Sequence, residues 1–204
     1  MAEFWSALVD QAGAFSYLEL LGVVAAIAYL LLAIRQNIWC WAFAAISTAI
    51  YVYLFIHARL YMESLLNGFY LAMAAYGWYS WTHGSGAKSE LAVTSWRWHR
   101  HAAAIMLILA GAGLSGWLLE THTDAEFPYT DSLTTWSAIW ATFLVARKVL
   151  ENWWYWLAID SVSVYLYWSR SLELTALLFI VYLVMIPFGL LSWRRSQLQA
   201  DVAA

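Results

Sequence analysis

Seven apolar runs, each close to the length that crosses a lipid bilayer, account for most of this chain of 204 residues. A transmembrane helix needs about 17 to 25 mainly apolar residues, because every backbone polar group must be satisfied inside the segment. Charged residues make up 11% of the sequence, against about 25% in an ordinary soluble domain. The sequence therefore predicts an all-α integral membrane protein with seven transmembrane helices, at residues 17–34, 38–56, 60–81, 100–119, 131–148, 152–168 and 171–192.

Basic side chains predict the orientation of this bundle. If the N-terminus is outside, only Arg59 and Arg170 of the ten Lys and Arg residues fall outside. Since Lys and Arg accumulate in cytoplasmic loops, this distribution predicts an N-out/C-in topology. The residues placed inside are Arg35, Lys88, Arg97, Arg100, Arg147, Lys148, Arg194 and Arg195.

The chain also matches itself along its length. Asn and Trp residues recur at an offset of 115: Asn37 with Asn152, Trp39 with Trp154, and Trp41 with Trp156. Beyond residue 60 the matches fall at an offset of 112, including Gly77 with Gly189 and Trp81 with Trp193, which implies a three-residue deletion in between. A single helix separates the two triplets, so both enter the membrane in the same orientation. The pattern predicts two parallel three-helix repeats in a SWEET-like 3+1+3 arrangement.

This arrangement predicts the division of the chain into segments. They are an N-terminal interfacial segment at 1–16, a first three-helix repeat at 17–81, a cytoplasmic linker loop at 82–99, an inverting linker helix at 100–119, a second three-helix repeat at 131–193 and a cytoplasmic tail at 194–204.

Asp160 is the principal candidate for function. It lies near the middle of the sixth apolar run, too far from either end to reach water, and a central Asp costs about 2.5 to 3.5 kcal/mol to insert. At the offset of 115 it aligns with Ala45, so the acid belongs to one half only. A carboxylate beside aromatic faces suits a planar cation. The alternative is a protonated Asp160 that serves only as a hydrogen-bonding partner between helices.

Further candidate substrate-binding residues fall at helical spacing on the third, sixth and seventh helices. They are Glu63, Asn67 and Tyr70; Trp156 with Asp160 and Tyr167; and Thr175, Phe179 and Tyr182. Trp41 joins them, because it lies one turn into its helix and is placed to stack on a ring. Glu63 could instead be a solvated residue at the mouth, and Asn67 a hydrogen-bonding partner between helices. The residues shared between the halves, Asn37, Asn152, Gly77 and Gly189, are predicted to be scaffold.

Catalytic chemistry has little support in the sequence. The histidines lack metal-ligand spacing, and the lone Cys40 cannot form an internal disulfide. The stretch from Gly84 to Ser89 lacks the Gly that precedes the Lys of a phosphate-binding loop. We therefore expect no enzyme, no metal, no cofactor and no nucleic-acid partner.

Two motifs resemble the PnuC-type family of bacterial vitamin transporters. They are Tyr76-Gly77-Trp78-Tyr79-Ser80-Trp81 and Arg147-Lys148-Val149-Leu150-Glu151-Asn152-Trp153. The resemblance implies multi-pass proteins of the bacterial inner membrane, often trimeric. It implies uptake of an unphosphorylated vitamin precursor by facilitated diffusion, with trapping by a cytoplasmic kinase. The best-known type carries nicotinamide riboside, and relatives carry thiamine or riboflavin.

One residue departs from the nicotinamide-riboside type. Like this chain, that type has an amide at the position that resembles Asn67. At the position of Asp160, however, that type has an amide and this chain has a carboxylate. Nicotinamide riboside and thiamine are both aromatic cations, so the carboxylate suits either of them and favours both over neutral riboflavin. A proton-coupled carrier, in which Asp160 and Glu63 titrate during transport, is the remaining hypothesis.

Overall fold

The computed structural model describes residues 17–57, 61–84, 91–169 and 173–203, and these ranges contain seven α-helices. In chain order they are α1 Tyr17–Ile34, α2 Cys40–His57, α3 Tyr61–His83, α4 Trp98–His122, α5 Pro128–Ala146, α6 Asn152–Ser169 and α7 Glu173–Ala203. Each predicted apolar run coincides with one helix, so the all-α prediction is confirmed. The predicted interfacial segment at 1–16 lies outside the described residues.

Helix α7 extends furthest beyond its predicted apolar run. The last predicted run ends at residue 192, whereas α7 continues to Ala203 and passes Pro187 without ending. Most of the predicted tail is therefore helical. Likewise, α4 has 25 residues and begins before residue 100. Hydropathy indicates where a helix can lie in lipid, but Arg, Gln and Ala are good helix formers that continue the helix beyond that limit.

Within the described residues, four helices are long and apolar enough to cross a membrane by length and composition. They are α1, α2, α4 and the Thr175–Val202 part of α7. Helices α3, α5 and α6 carry more Tyr, Trp, Ser and Thr side chains, which lower their hydropathy. Several apolar helices in one chain make this a multi-pass membrane protein.

Within each half, sequential helices pack as neighbours, since their connections are short, and α4 packs against α5. Two further pairs bring the halves of the chain together: α3 packs against α5, and α1 packs against α7. These two pairs are equivalent if α1 corresponds to α5 and α3 to α7. Under that correspondence, each half packs its third helix against the first helix of the other half.

A single offset of 112 relates the two halves throughout. α2 and α6 each have 18 residues and begin at Cys40 and Asn152, and the turns before them contain positive φ at Gln36 (55°) and Lys148 (48°). The offset of 115 and the three-residue deletion inferred from the sequence are therefore wrong. A Trp-rich segment matches itself in more than one register, and the incorrect one differed by about one helical turn. Asp160 corresponds to Thr48, not to Ala45.

Four buried Trp residues form a cluster that joins the halves, which we call the tryptophan cluster: Trp41, Trp81, Trp153 and Trp193. Trp41 and Trp81 meet edge to face with ring centroids 5.5 Å apart, and Trp153 and Trp193 do the same at 5.5 Å. Trp41 lies against Gly77 and Trp153 against Gly189, so closely that a Cβ at either Gly would overlap the ring. The prediction that both glycines are scaffold agrees with this packing.

Two hydrogen bonds cross between the halves in this cluster. The indole nitrogen of Trp81 donates to the Val145 carbonyl at 3.1 Å, and that of Trp193 donates to the Ala33 carbonyl at 2.9 Å. Their rings lie 6.1 Å apart. Each half therefore supplies a Trp to the end of the first helix in the other half.

At the corrected offset of 112, Asn37 and Asn152 are not equivalent residues of the two halves. The Asn37 side chain accepts from the backbone nitrogen of Trp39 at 3.0 Å, in the turn before α2. Asn152 is the first residue of α6, and its amide donates to the Val149 carbonyl at 2.7 Å. Both residues shape turns, but they occupy different positions and are not equivalent.

The described part of the linker, residues 91–97, is attached to the turn between α5 and α6. Thr94 donates to the Lys148 carbonyl at 3.0 Å and accepts from the Leu150 backbone nitrogen at 2.8 Å. The Glu151 carboxylate accepts from the Ser95 hydroxyl and from the Trp96 backbone nitrogen. The linker thereby fixes the start of α4 beside α5.

Candidate functional site

A cavity of about 360 Å³ lies among α1, α3, α5, α6 and α7. This volume is near the lower end of the range for small-molecule pockets, about 300 to 1,000 Å³. Its lining is mostly aromatic and aliphatic, with a few Thr, Ser and Asn side chains. We call it the central cavity.

Among the described residues that line the central cavity, Asp160 is the one charged residue. It lies in the third turn of α6 and is 3% exposed. Within the described part of the chain it has no hydrogen bond and no ion pair; the described ion pair is that of His101 with Glu151, at 3.8 Å. Tyr182 is near enough to interact with it electrostatically. No cation in the described part of the chain compensates this desolvated acid, and an acid at membrane depth is a candidate functional residue.

Aromatic side chains form much of the remaining wall. Tyr167 and Phe179 stack with ring centroids 5.2 Å apart and planes 14° apart, and Tyr182 meets Phe179 edge to face at 5.8 Å. Tyr70 and Trp156 complete the set predicted from the sequence. Such faces can stack on a flat ring and can attract a cation.

Two polar atoms at the cavity wall have no hydrogen-bond partner among the described residues. They are the side-chain oxygen of Asn152 and the indole nitrogen of Trp153, and both residues line the cavity. Buried polar atoms are usually paired, so these two unpaired atoms are notable, although both are shielded from solvent in this structure. Asn152 was predicted to be scaffold alone, whereas the structure places it at the cavity as well.

Other predicted residues do not line the central cavity. Trp41 is 2% exposed and packs on Gly77 and Trp81 within the tryptophan cluster, so the geometry gives it a structural role and does not support stacking on a substrate. Asn67 and Thr175 are half-buried on α3 and α7, outside the lining. The side chain of Glu63 lies outside the described part of the chain.

Sequence reasoning missed the contribution of α1 and α5. Tyr29 from α1 and Thr134 and Thr135 from α5 all line the cavity. Tyr29 also contacts Trp41 at a centroid distance of 6.1 Å, which links the cavity to the tryptophan cluster. The sequence comparison of the repeats began at Asn37 and therefore did not include α1 or its counterpart α5. At the offset of 112, Tyr29 corresponds to Ala141.

The Arg-Lys-x-x-Glu-Asn-Trp motif organises the end of the bundle next to the cavity. Lys148 is buried, with its amine 4.5 Å from the centroid of the Trp81 ring. Glu151 holds the linker, and His101 contacts both Glu151 and the Tyr155 hydroxyl. Most of the motif therefore supports the turn, and Asn152 and Trp153 extend it to the cavity wall.

Apolar helices that enclose a cavity with one acid and several aromatic faces are typical of membrane carriers of small solutes. Residues 16–195 match the family model described as nicotinamide mononucleotide transporter. Because the match covers most of the chain, the protein belongs to this family, and the predicted resemblance to the PnuC-type transporters is confirmed. Among the described residues, no group of three His, Cys, Asp or Glu side chains could hold a metal ion.

Two curated relatives have different named substrates. The riboflavin/roseoflavin transporter RibM of Streptomyces davaonensis is 23% identical over 178 residues, which cover 86% of this chain and 83% of that protein. The nicotinamide riboside transporter PnuC of Escherichia coli K12 is 27% identical over 199 residues, which cover 81% of this chain and 82% of that protein. The chain is thus similar to transporters of chemically different molecules.

A solved structure shares the fold. The crystal structure of the vitamin B3 transporter PnuC superposes with a TM-score of 0.71 at 20% identity, covering 96% of this chain and 90% of that chain. At this level of identity the likeness establishes the helical architecture alone.

Proposed function

We propose that this protein takes up nicotinamide riboside, an unphosphorylated vitamin precursor, by facilitated diffusion. The observation that carries the proposal is the charge of the central cavity: among the described residues that line it, Asp160 is charged and no Lys, Arg or His is present. A positively charged pyridinium ring gains from a desolvated carboxylate and from aromatic faces. A phosphate group would meet a like charge and would lose its hydration without a basic partner.

The same asymmetry of charge supports trapping after uptake. A cytoplasmic kinase that phosphorylates the riboside converts a cation into a species with negative charge. Such a product fits poorly into a cavity whose single charged group is an acid, so it does not return through the carrier. For this reason we propose the riboside as the substrate, although the family description names the mononucleotide.

The proposed binding mode uses the residues at the cavity wall. The pyridinium ring stacks among Trp156, Tyr182 and the Tyr167–Phe179 pair, with its positive charge toward Asp160. The ribose hydroxyls then pair with the free atoms of Asn152 and Trp153 and with the Tyr70 hydroxyl. Asn67, Thr175 and Glu63 are proposed to act nearer the path of entry, because they do not line the cavity. Trp41 is proposed to support Tyr29.

The architecture proposed for transport is the SWEET-like 3+1+3 arrangement, N-out/C-in. We propose residues 17–81 and 131–193 as the two parallel repeats, with the helix at 100–119 between them. The reciprocal contacts of the two halves support this arrangement. We further propose a homotrimer in a bacterial inner membrane, on the precedent of the family.

Binding measurements on purified protein test the substrate. We expect nicotinamide riboside to bind at least tenfold more tightly than nicotinamide mononucleotide, which carries the same ring with a phosphate. Thiamine, the other aromatic cation, is the alternative substrate, and the relative named as a riboflavin transporter keeps riboflavin in the comparison. Tight binding of the mononucleotide, or of riboflavin over both cations, would refute the role given to the acid.

A proton-coupled carrier is the second candidate, because a buried acid without a counter-ion is a suitable proton acceptor. Uptake into liposomes distinguishes the two. Facilitated diffusion equilibrates the substrate with or without a proton gradient, whereas coupled transport accumulates it only when the gradient is present.

A further inference from the structure

A second concave surface, separate from the central cavity, lies between α3, α4 and α5. It encloses about 640 Å³, and its walls are apolar and aromatic, with Phe69 and Met73 from α3 and Trp136 and Phe143 from α5 among them. We call it the lateral groove. Large apolar residues on its rim face outward, since Leu107 is 74% exposed and Trp136 is 41% exposed. In a membrane, exposed apolar side chains of this kind are suited to contact the acyl chains of lipids.

One cation lies at one end of the lateral groove. Arg100 is in the first turn of α4, exposed, and its guanidinium carbon is 5.2 Å from the centroid of the Trp96 ring. Within the described residues it has no carboxylate partner, since the described ion pair is that of His101 with Glu151. Glu151 at this end already accepts from Ser95 and Trp96. The positive charge of Arg100 is therefore free for an external anion.

The remaining wall at this end is aromatic and preformed. Trp96, Trp140 and Phe143 contact one another with ring centroids 5.6 to 6.4 Å apart. The linker holds Trp96 in place through the Glu151 carboxylate. Trp98, next to Arg97, is 79% exposed, as expected of a Trp at the interface between membrane and water. A polar headgroup at Arg100 would thus lie at interfacial depth.

We propose that the lateral groove binds an anionic phospholipid, with its phosphate at Arg100 and one acyl chain along the apolar floor. From Arg100 to Leu107 the helix advances about 10 Å, a length that a flexible acyl chain can follow. Basic residues beside the membrane surface attract anionic lipids by about 1 kcal/mol each, which is about fivefold in affinity. This site is independent of the transported substrate.

Native mass spectrometry on delipidated protein tests the proposal. The protein is mixed with equal amounts of phosphatidylglycerol and phosphatidylcholine of matched acyl chains. We expect about a fivefold preference for phosphatidylglycerol, which Arg100→Gln abolishes. Arg97→Gln is the matched control, because it removes a charge at the same end of α4 from a residue outside the groove, and it should keep the preference. An equal loss in both variants would overturn the site.

A second variant tests the acyl-chain floor. Ala103 lies on the exposed side of α4 and lines the groove, so Ala103→Trp should fill it and reduce binding of both lipids while the protein remains folded by thermal unfolding. If the variant instead changes the oligomeric state and leaves lipid binding unchanged, a second copy covers this face and the proposal is wrong. Displacement of the lipid by millimolar glycerol phosphate would indicate a site for free phosphate and would equally overturn it.

Discussion

Helices α2 and α6 occupy equivalent places in the two halves, but the side chains in their middle turns differ. At their first turns they are alike, because Trp41 and Trp153 pack on Gly77 and Gly189 in the same way. Two turns further on they diverge: Thr48 bonds back to the Ala44 carbonyl at 2.8 Å, whereas Asp160 at the matching position has no hydrogen bond among the described residues. The shared contacts stabilise the bundle, and the unshared side chains in the middle make the proposed site.

The largest effect that can test this comparison is the removal of the shared tryptophans. Trp41→Ala and Trp153→Ala should each destabilise the protein by about 3 to 5 kcal/mol, because a large buried ring leaves a cavity. Thermal unfolding in detergent measures both. Trp98→Ala, at an exposed position, is the control and should change stability little. A much smaller loss for one of the pair would show that the halves are not equivalent.

Ligand binding should depend on the unshared residues. Asp160→Asn keeps the shape of the side chain but removes its charge. Binding of nicotinamide riboside should therefore weaken by about tenfold to hundredfold, which corresponds to a loss of about 1.5 to 3 kcal/mol in binding free energy. Thr48→Val, at the matching position, should leave the Kd unchanged. Isothermal titration calorimetry measures both variants. Unchanged binding in Asp160→Asn would remove the acid from the site.

The glycines should respond alike in the two halves. Gly77→Ala and Gly189→Ala each force a methyl group into a Trp ring, at a cost of about 1 to 3 kcal/mol. The matched control is Gly113→Ala on α4, where a Cβ would meet nothing within 4 Å. This substitution should stabilise the helix slightly. Melting temperatures rank the three variants, and a stabilising Gly77→Ala would contradict the packing described.

The smallest effect concerns the two hydrogen bonds between the halves. Trp81→Phe and Trp193→Phe each remove one indole donor, at a cost of about 0.5 to 1.5 kcal/mol. The carbonyls of Val145 and Ala33 keep their backbone hydrogen bonds from Lys148 and Gln36, so the loss is small. The double variant should not be additive, since the two rings are in contact. Additive losses in unfolding experiments would show that the two bonds act independently.

The helices could be predicted from the sequence because hydropathy alone selects segments that cross a membrane. The family resemblance was also visible, since its motifs contain Trp, Gly and Asn at fixed places. The offset between α2 and α6 was not predicted correctly, because Trp39 and Trp41 can be matched either to Trp154 and Trp156 or, one turn earlier, to the neighbourhood of Trp153. Identities within a segment of biased composition do not distinguish registers one turn apart.

The lining of the cavity was only partly predictable for a different reason. In a soluble helix the apolar face points inward, but in these helices both faces are apolar, so periodicity does not indicate which side chains meet. Asp160 was found because a buried charge is conspicuous in lipid. Tyr29 and Trp41 look alike in the sequence as aromatic residues in apolar runs, and tertiary packing alone assigns one to the cavity and the other to the tryptophan cluster.

The reciprocal bonds of Trp81 and Trp193 restrict how the halves can move. Each bond joins a residue of one half to the first helix of the other, and the two are related by the same offset. A separation of the halves at this end would stretch both bonds together, whereas a small rotation about the line between the two rings would change neither length much. If the halves move during transport, we therefore expect the tryptophan cluster to act as the pivot and the larger displacements to occur at the opposite end of the bundle.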